Sequence, residues 1–191
     1  MNSRAELRKN IRNRRQTLSK ANQLQASENL VERLSTHPRV QSAQKIALYL
    51  ANDGELDPMP FIQWCWQQKK QVYLPILHPF CSGYLLFLLF EQNSIMKKNH
   101  FGIFEPKLAV NKVCPLEQLD LLFTPLVAFD DSGARLGMGG GFYDRTIANW
   151  QQHNIYPIGL AHDCQQVDNI PVEAWDIPLP EIITPTKNHR F

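Results

Sequence analysis

Apolar residues fall along this chain in short runs divided by polar breaks, and the runs predict helices and strands in alternation. Residues 3 to 35 read as helical in two pieces meeting near Ser19, which is placed to cap the second piece, with Asn22 rather than a glutamate three positions on. Lys45 to Leu50 reads as a buried strand. Asp57 and Pro58 signal a helix start, aspartate as cap and proline at the first helical position, for a helix running to about Lys70. Gln71 to Leu77 is a second strand, stopped by Pro75 and Pro79, and Tyr84 to Phe90 is a third, reached by a hairpin through Ser82 and Gly83. Residues 91 to 118 show no period and are rich in lysine, proline and asparagine; a connection that long is often functional. An apolar strand from Leu119 to Ala128 follows, then a glycine-rich loop, a helix to about His153 and a strand from Ile155 to Leu160. The chain closes with an extended, proline-rich stretch from Pro171 to Pro180 and a short strand at Glu181 to Thr184. This alternation predicts an α/β sandwich around a mostly parallel sheet. Ligands in such sheets sit at the carboxyl ends of strands, and Leu50, Glu55 and the glycine loop all follow strand ends.

The glycine loop concentrates the candidate chemistry. The run FDDSGARLGMGGGFYDR, Phe129 to Arg145, holds Gly133, Gly137, Gly139, Gly140 and Gly141, five of the chain's nine glycines. Glycine lets backbone approach a ligand closely, and the unpaired N–H groups of the helix start beyond favour an anion, with phosphate the obvious candidate. Neither standard phosphate pattern fits: Phe142 and Tyr143 stand where a Walker loop needs Lys-Ser or Lys-Thr, and the spacing is wrong for the dinucleotide fingerprint. A tight strand-to-helix turn packed on the sheet would explain the same glycines. The polar content favours a ligand: Arg135 inside the loop, Asp144 and Arg145 in the first helical turn. Asp144 either caps that helix or holds a magnesium ion bridging phosphate oxygens.

The run from Gly133 to Asp144 closely resembles the signature of the 5-formyltetrahydrofolate cyclo-ligases, also called methenyltetrahydrofolate synthetases. Further segments resemble that family in order along nearly the whole chain. They are Arg4 to Arg8 with Arg14, Arg15, Leu18 and Ser19; Gly54 to Asp57, with Pro58 in place of a threonine; Phe101 to Pro106; Asp176 to Leu179; and Ile182 to Thr184. The resemblance implies a three-layer α/β/α sandwich in one domain, residues 1–191, with basic helices over 3–35 packed on the core. It implies an ATP- and Mg2+-dependent closure of 5-formyltetrahydrofolate, with or without a polyglutamate tail, to 5,10-methenyltetrahydrofolate, releasing ADP and phosphate. ATP would meet Arg4, Arg8, Arg135, Gly137, Gly139, Gly140, Gly141, Phe142 and Tyr143. The folate would meet Arg8, Leu50, Glu55 and Phe101, and magnesium Asp144 and Asp176. Two departures matter: arginine replaces the family's common lysine at Arg4, and Gly140 stands where many relatives carry lysine between the last two glycines. Arg135 and Arg145 are the candidate catalytic cations in its place.

Read without the resemblance, most of these residues have plainer roles. The basic residues of the first helix form a solvated face. An RNA-binding module is a second reading of them, but the aromatic residues that would stack bases are absent from that stretch. Glu55 is a turn carboxylate, Asp57 a cap, Phe101 a packing anchor, Glu105 and Pro106 a turn, and Asp176 a loop acid. A related enzyme of thiamine metabolism, with the same loop on another phosphorylated metabolite, is the other rival.

Bulk properties narrow the classes. At 191 residues the chain suits one domain or two small ones, and 43% hydrophobic with 20% charged residues is ordinary for a soluble globular protein. The net charge of +2 leaves polyanion binding undecided. Cys65, Cys81, Cys114 and Cys164 are widely spaced without a CxxC pair, which predicts reduced thiols in a cytoplasmic protein. The six histidines lack metal-ligand spacing. No apolar segment follows the starting Met and the most apolar run is too short to span a bilayer, so neither export nor membrane insertion is expected. A monomer acting on a small molecule is the expected form.

Overall fold

Local chemistry sets where the helices begin in the computed structural model, which describes residues 3–191. Helix α1 (Arg4–Gln16) starts at a capping box, Ser3 Oγ accepting from the Glu6 N–H and the Glu6 carboxylate accepting from the Ser3 N–H. Helix α2 (Lys20–Ser35) starts at Ser19, whose Oγ accepts from the Asn22 N–H at 3.1 Å, as the sequence predicts. After α3 (Pro38–Ser42) and strand β1 (Lys45–Ala47) comes α4 (Met59–Gln67). Helix α4 begins one residue later than predicted, with Pro58 in the cap position, and Asp57 Oδ1 accepts from the Met59 N–H at its start. The helix stops before Lys69, which sits at φ 58, short of the predicted end near Lys70.

The hairpin β2 (Gln71–Leu77) and β3 (Leu85–Leu89) forms through the Ser82–Gly83 turn. Pro75 does not stop β2. Val72 and its alternates bond toward β3, while Tyr73 and Pro75 face the β1 side, where pairing ends at Tyr73. The missing N–H of Pro75 therefore breaks no ladder bond. Residues 91 to 118, aperiodic in sequence, contain a second hairpin of β4 (Met96–Lys98) and β5 (Phe104–Pro106), then the edge strand β6 (Val113–Cys114).

The predicted strand from Leu119 to Ala128 is broken. Strand β7 (Leu121–Pro125) ends, the carbonyls of Leu126 and Val127 accept from the buried Gln165 amide, and a small hairpin of β8 (Ala128–Phe129) and β9 (Arg135–Leu136) follows. The glycine loop thus leaves a hairpin, not the sheet. Helix α5 (Phe142–Thr146) is one turn and a half, ending well before His153, because its aromatic, Asp and Thr residues are weak helix formers and the Thr146 hydroxyl is spent on the Phe142 carbonyl and the Leu85 N–H. Strands β10 (Tyr156–Leu160) and β11 (Glu181–Ile183) match expectation; β12 (Asn188–Arg190) adds an antiparallel edge.

The main sheet has the order β12-β11-β10-β7-β1-β2-β3-β6, with β11, β10, β7, β1 and β2 parallel and antiparallel strands at both margins. Alternation assigns each strand two faces. Ile46, Val72, Leu74, Leu121, Phe123, Ile158 and Ile183 pack under α2 and α4 with Leu30, Leu34, Phe61 and Cys65. Ala47, Tyr73, Leu122 and Ile182 face the other way, against Leu126, Phe129, Ile147 and Leu179. This is the three-layer α/β arrangement, its second outer layer thin and made largely of α5, short turns and extended chain. Helix α1 packs separately against the β8–β9 hairpin through Leu7 and Ile11. Among the described residues no helix is long and apolar enough to cross a membrane, and the four cysteines are free.

Candidate active site

One cleft lies over the carboxyl ends of the parallel strands. Its floor is the chain leaving β1, β2 and β7, one wall is the tip of the β4–β5 hairpin, and the other is the glycine loop with α5. The cavity has a volume of about 450 Å³ and is lined by Leu50, Glu55, Phe101, Arg135, Gly137, Gly140, Gly141, Phe142, Tyr143 and Asp144 among others. That volume suits a small-molecule site. Arg4, Arg8, Gly139, Arg145 and Asp176 are not in its lining. A second, shallower depression of about 350 Å³ beside α2 holds none of these groups.

The glycines do not all serve the cleft. Gly133 turns the β8–β9 hairpin at φ +80, and a Cβ there would lie 2.8 Å from the Leu179 carbonyl oxygen, so its role is packing. Gly139 (φ +102) and Gly141 (φ +63) hold conformations that side chains resist, and they shape the loop itself. A Cβ on Gly140 would stand 2.7 Å from the Phe142 ring. The loop is clamped by cations from outside. Arg8 Nε donates to the Gly137 carbonyl at 2.8 Å, and Arg145 donates through Nη2 to the Gly140 carbonyl and through Nε to that of Gly83 at 2.9 Å. Arg8 and Arg145 thus brace the loop's backbone.

Arg135 is the cation inside the site. It is buried, its Nη2 donates to Asp144 Oδ1 at 2.7 Å, and its Nε is buried without an acceptor among the described residues. Burial lowers its pKa, against the opposing pull of Asp144. The same Asp144 oxygen accepts from the Ile177 N–H at 3.2 Å, leaving Oδ2 with no protein donor among the described residues. Asp176 is engaged elsewhere: both of its oxygens pair with Arg4, and Oδ2 also accepts from the Glu173 N–H. Burial pushes the Asp176 carboxyl up, but Arg4 more than offsets this and holds it below the usual range. Among the described residues no three His, Cys, Asp or Glu side chains converge as a metal cage. Magnesium asks less, one or two carboxylates with phosphate and water completing the shell. Asp144 fits that requirement; Asp176 fits it only by giving up Arg4.

Glu55 lines the same cleft. The turn after β1 places its side chain at 12% exposure, with Oε2 accepting from the Asn52 N–H at 3.1 Å. Burial pushes its pKa up to about 7, partly countered by Arg15. The Tyr143 phenol is held protonated well above its ordinary range by burial and the neighbouring Glu55 charge. Phe101 is 56% exposed at the hairpin tip and meets Phe142 edge-on with ring centroids 6.0 Å apart. Glu105 does more than shape a turn: it is buried, lines the cleft, and accepts from the Leu77 N–H and the Asn99 amide, tying the hairpin to the end of β2.

Arg15 and Asp53 escaped the sequence reading. The basic run places Arg15 on the solvated face, yet its side chain is fully buried. The available signal was its register: Leu7, Ile11 and Arg15 recur every fourth residue, one stripe of α1, and all three are buried.

The fold and cleft describe an α/β enzyme with one cavity lined by a glycine loop, the buried cation Arg135, the acceptor Glu55 and the aromatic ring of Phe101. Comparison with known proteins gives the family. A model of the 5-formyltetrahydrofolate cyclo-ligase family matches residues 1–185. The chain is 52% identical over 177 residues to the 5-formyltetrahydrofolate cyclo-ligase of Escherichia coli strain K12, covering 93% of this chain and 97% of that one. It is 51% identical over 180 residues to the Haemophilus influenzae enzyme of the same name, covering 94% and 96%. The solution structure of Aquifex aeolicus 5,10-methenyltetrahydrofolate synthetase superposes with a TM-score of 0.83 at 29% identity, over 98% of this chain and 92% of that one. The chain belongs to the 5-formyltetrahydrofolate cyclo-ligase family, and its activity is the closure of 5-formyltetrahydrofolate to the 5,10-methenyl form. These matches lend no support to the thiamine-enzyme or RNA-module readings.

Proposed function

We propose that the cleft binds ATP with magnesium at the glycine-loop end and 5-formyltetrahydrofolate at the Glu55–Phe101 end, so that the formyl group lies between them. The observation that carries this reading is the lining of a single cavity, which brings together an acceptor, Glu55, an aromatic ring, Phe101, and the glycine loop with Arg135, whose buried Nε lacks an acceptor among the described residues. A buried donor without a partner is costly, and a phosphate oxygen would satisfy it.

ATP supplies the activation: a formamide oxygen leaves poorly, and phosphorylating it makes it a leaving group. The protein's part is alignment and charge stabilisation. Glu55 would accept from the paired N–H donors of the reduced pterin, with Phe101 against the ring and Leu50 lining the pocket. Gly137, Gly139, Gly140 and Gly141 would bring backbone N–H groups to the phosphates, with Phe142 and Tyr143 closing the loop. Arg135 would neutralise charge developing on the transferred group. Asp144 would hold magnesium through its free oxygen. Arg4, Arg8 and Arg145 would act from the rim, and Asp176 would join the metal only when Arg4 turns to the nucleotide. In this reading residues 1–191 work as one domain, a cytoplasmic monomer with no nucleic-acid or membrane partner, taking its folate with or without a polyglutamate tail.

The test is turnover. Protein mixed with 5-formyltetrahydrofolate, ATP and magnesium should form the methenyl chromophore, with one ADP and one phosphate per product. Product formation without nucleotide, or undiminished in excess chelator, would refute the nucleotide and metal assignments respectively.

A further inference from the structure

The floor beneath Glu55 is built around a buried arginine. Arg15 reaches up from α1, fully buried, and spends its donors on the turn that carries Glu55. Its Nε donates to the Asp53 carbonyl at 2.8 Å and its Nη2 to Asp53 Oδ2 at 2.9 Å, while Nη1 lies 4.0 Å from Glu55 Oε1 and 3.5 Å from the Leu126 carbonyl. Asp53 also takes Arg12 Nε at 2.6 Å and the Gln16 amide, so α1 gives it three donors. Glu55 receives only what remains of Arg15. The other groups facing Glu55 are Asp53 on its own turn, the phenols of Tyr49 and Tyr143, and the His162 ring near its backbone. Burial disfavours the charged form of His162, and the Tyr49 hydroxyl is committed to the Leu56 carbonyl. Arg15 is therefore the one permanent cation acting on this carboxylate among the described residues.

We propose that Arg15 is a positioning residue for the folate site: from under the floor its fork ties the turn that carries Glu55 and presents charge to that carboxylate, and Asp53 sets how much of the charge Glu55 receives. This rests on the reading of Glu55 as the pterin acceptor. A planar fork suits the task, since one guanidinium can tie the turn's backbone through one edge and present charge to Glu55 through another. Burial alone would keep Glu55 protonated at neutral pH, and a protonated carboxyl cannot accept a pair of N–H donors with both oxygens.

The experiment is the pH dependence of 5-formyltetrahydrofolate affinity, measured by calorimetry over about pH 5.5 to 9, for the full-length protein and for E55Q, R15Q, R15K and D53N. The unsubstituted protein should weaken towards acid pH as Glu55 protonates. R15Q should move that midpoint upward by about one pH unit, weakening affinity roughly fivefold at pH 7 and approaching tenfold at more acid pH, and regaining it at alkaline pH. R15K should fall between. D53N should shift the midpoint downward, because it frees Arg15 for Glu55; asparagine tolerates the φ of 53 at this position. If R15Q does not fold, R15K and D53N carry the test through their opposite shifts. Loss of affinity uniform with pH in R15K, with D53N weakened likewise, makes Arg15 scaffold only and overturns the inference while leaving Glu55 intact. If E55Q binds the folate as tightly as the unsubstituted protein, the reading of Glu55 has failed and the inference falls with it.

Discussion

Glu55→Gln should stabilise the ligand-free protein at alkaline pH while damaging the folate site. The carboxyl titrates at about 7 in the folded chain against an ordinary 4.5, so between those values the folded state binds more protons than the unfolded. Stability then falls as pH rises through that window and stays lost above it. At about 1.4 kcal/mol per tenfold, keeping the buried carboxylate ionised costs roughly 2–4 kcal/mol at pH 8.5. Glutamine removes the charge and keeps an acceptor for the Asn52 N–H, so about 1–3 kcal/mol should be recovered, the rest being offset by an Arg15 left with one partner fewer. Near pH 4.5, where Glu55 is protonated in the folded state and half ionised in the unfolded one, the charge-dependent gain should shrink to about 0.4 kcal/mol. Chemical denaturation of both proteins at the two pH values measures this directly. Equal stability changes at both, or a destabilised variant at pH 8.5, would refute the buried-anion reasoning.

Asp144→Asn should cost stability as well as turnover, ~1–3 kcal/mol, because the buried Arg135 loses its counter-charge. A melting curve beside a magnesium titration of activity checks it, and full activity at limiting magnesium would reduce Asp144 to Arg135's partner. Gly140→Lys should fold with a displaced Phe142, since a Cβ there meets that ring at 2.7 Å. A variant crystal structure with Phe142 unmoved and activity undiminished would contradict this.

Much of the scaffold was legible because local chemistry and period agreed. Ser19 caps α2, Asp57 bonds the first turn of α4, and the runs beginning at Lys45, Gln71, Tyr84 and Ile155 hold sheet strands. Failures came where tertiary context decided. Pro75 looks like a strand breaker until β1 is seen to end beside it. The Leu119 to Ala128 run breaks because a distant Gln165 captures two of its carbonyls. Residues 96–98 and 104–106 lack apolar alternation because their hairpin lies over the cleft with little core to cover. The candidate site was legible through the glycine run and the resemblance it carried, which led to Leu50, Glu55, Phe101, Arg135 and Asp144. It was not legible that Arg8 and Arg145 hold loop carbonyls, that Asp176 is tied to Arg4, or that Arg15 lies under the floor. Each of those depends on a partner far along the chain.

Crossed binding separates the folate and phosphate parts of the one cavity. Affinities for ATP with magnesium and for 5-formyltetrahydrofolate would be measured separately by calorimetry on E55Q and G141A, with melting temperatures to confirm folding. G141A forces a side chain onto a φ of +63 and against Arg145 at 2.9 Å, both in the loop. The account predicts that E55Q loses folate affinity and keeps ATP, while G141A loses ATP affinity and keeps the folate. Equal weakening of both ligands in both folded variants, or the reverse pairing, would contradict it.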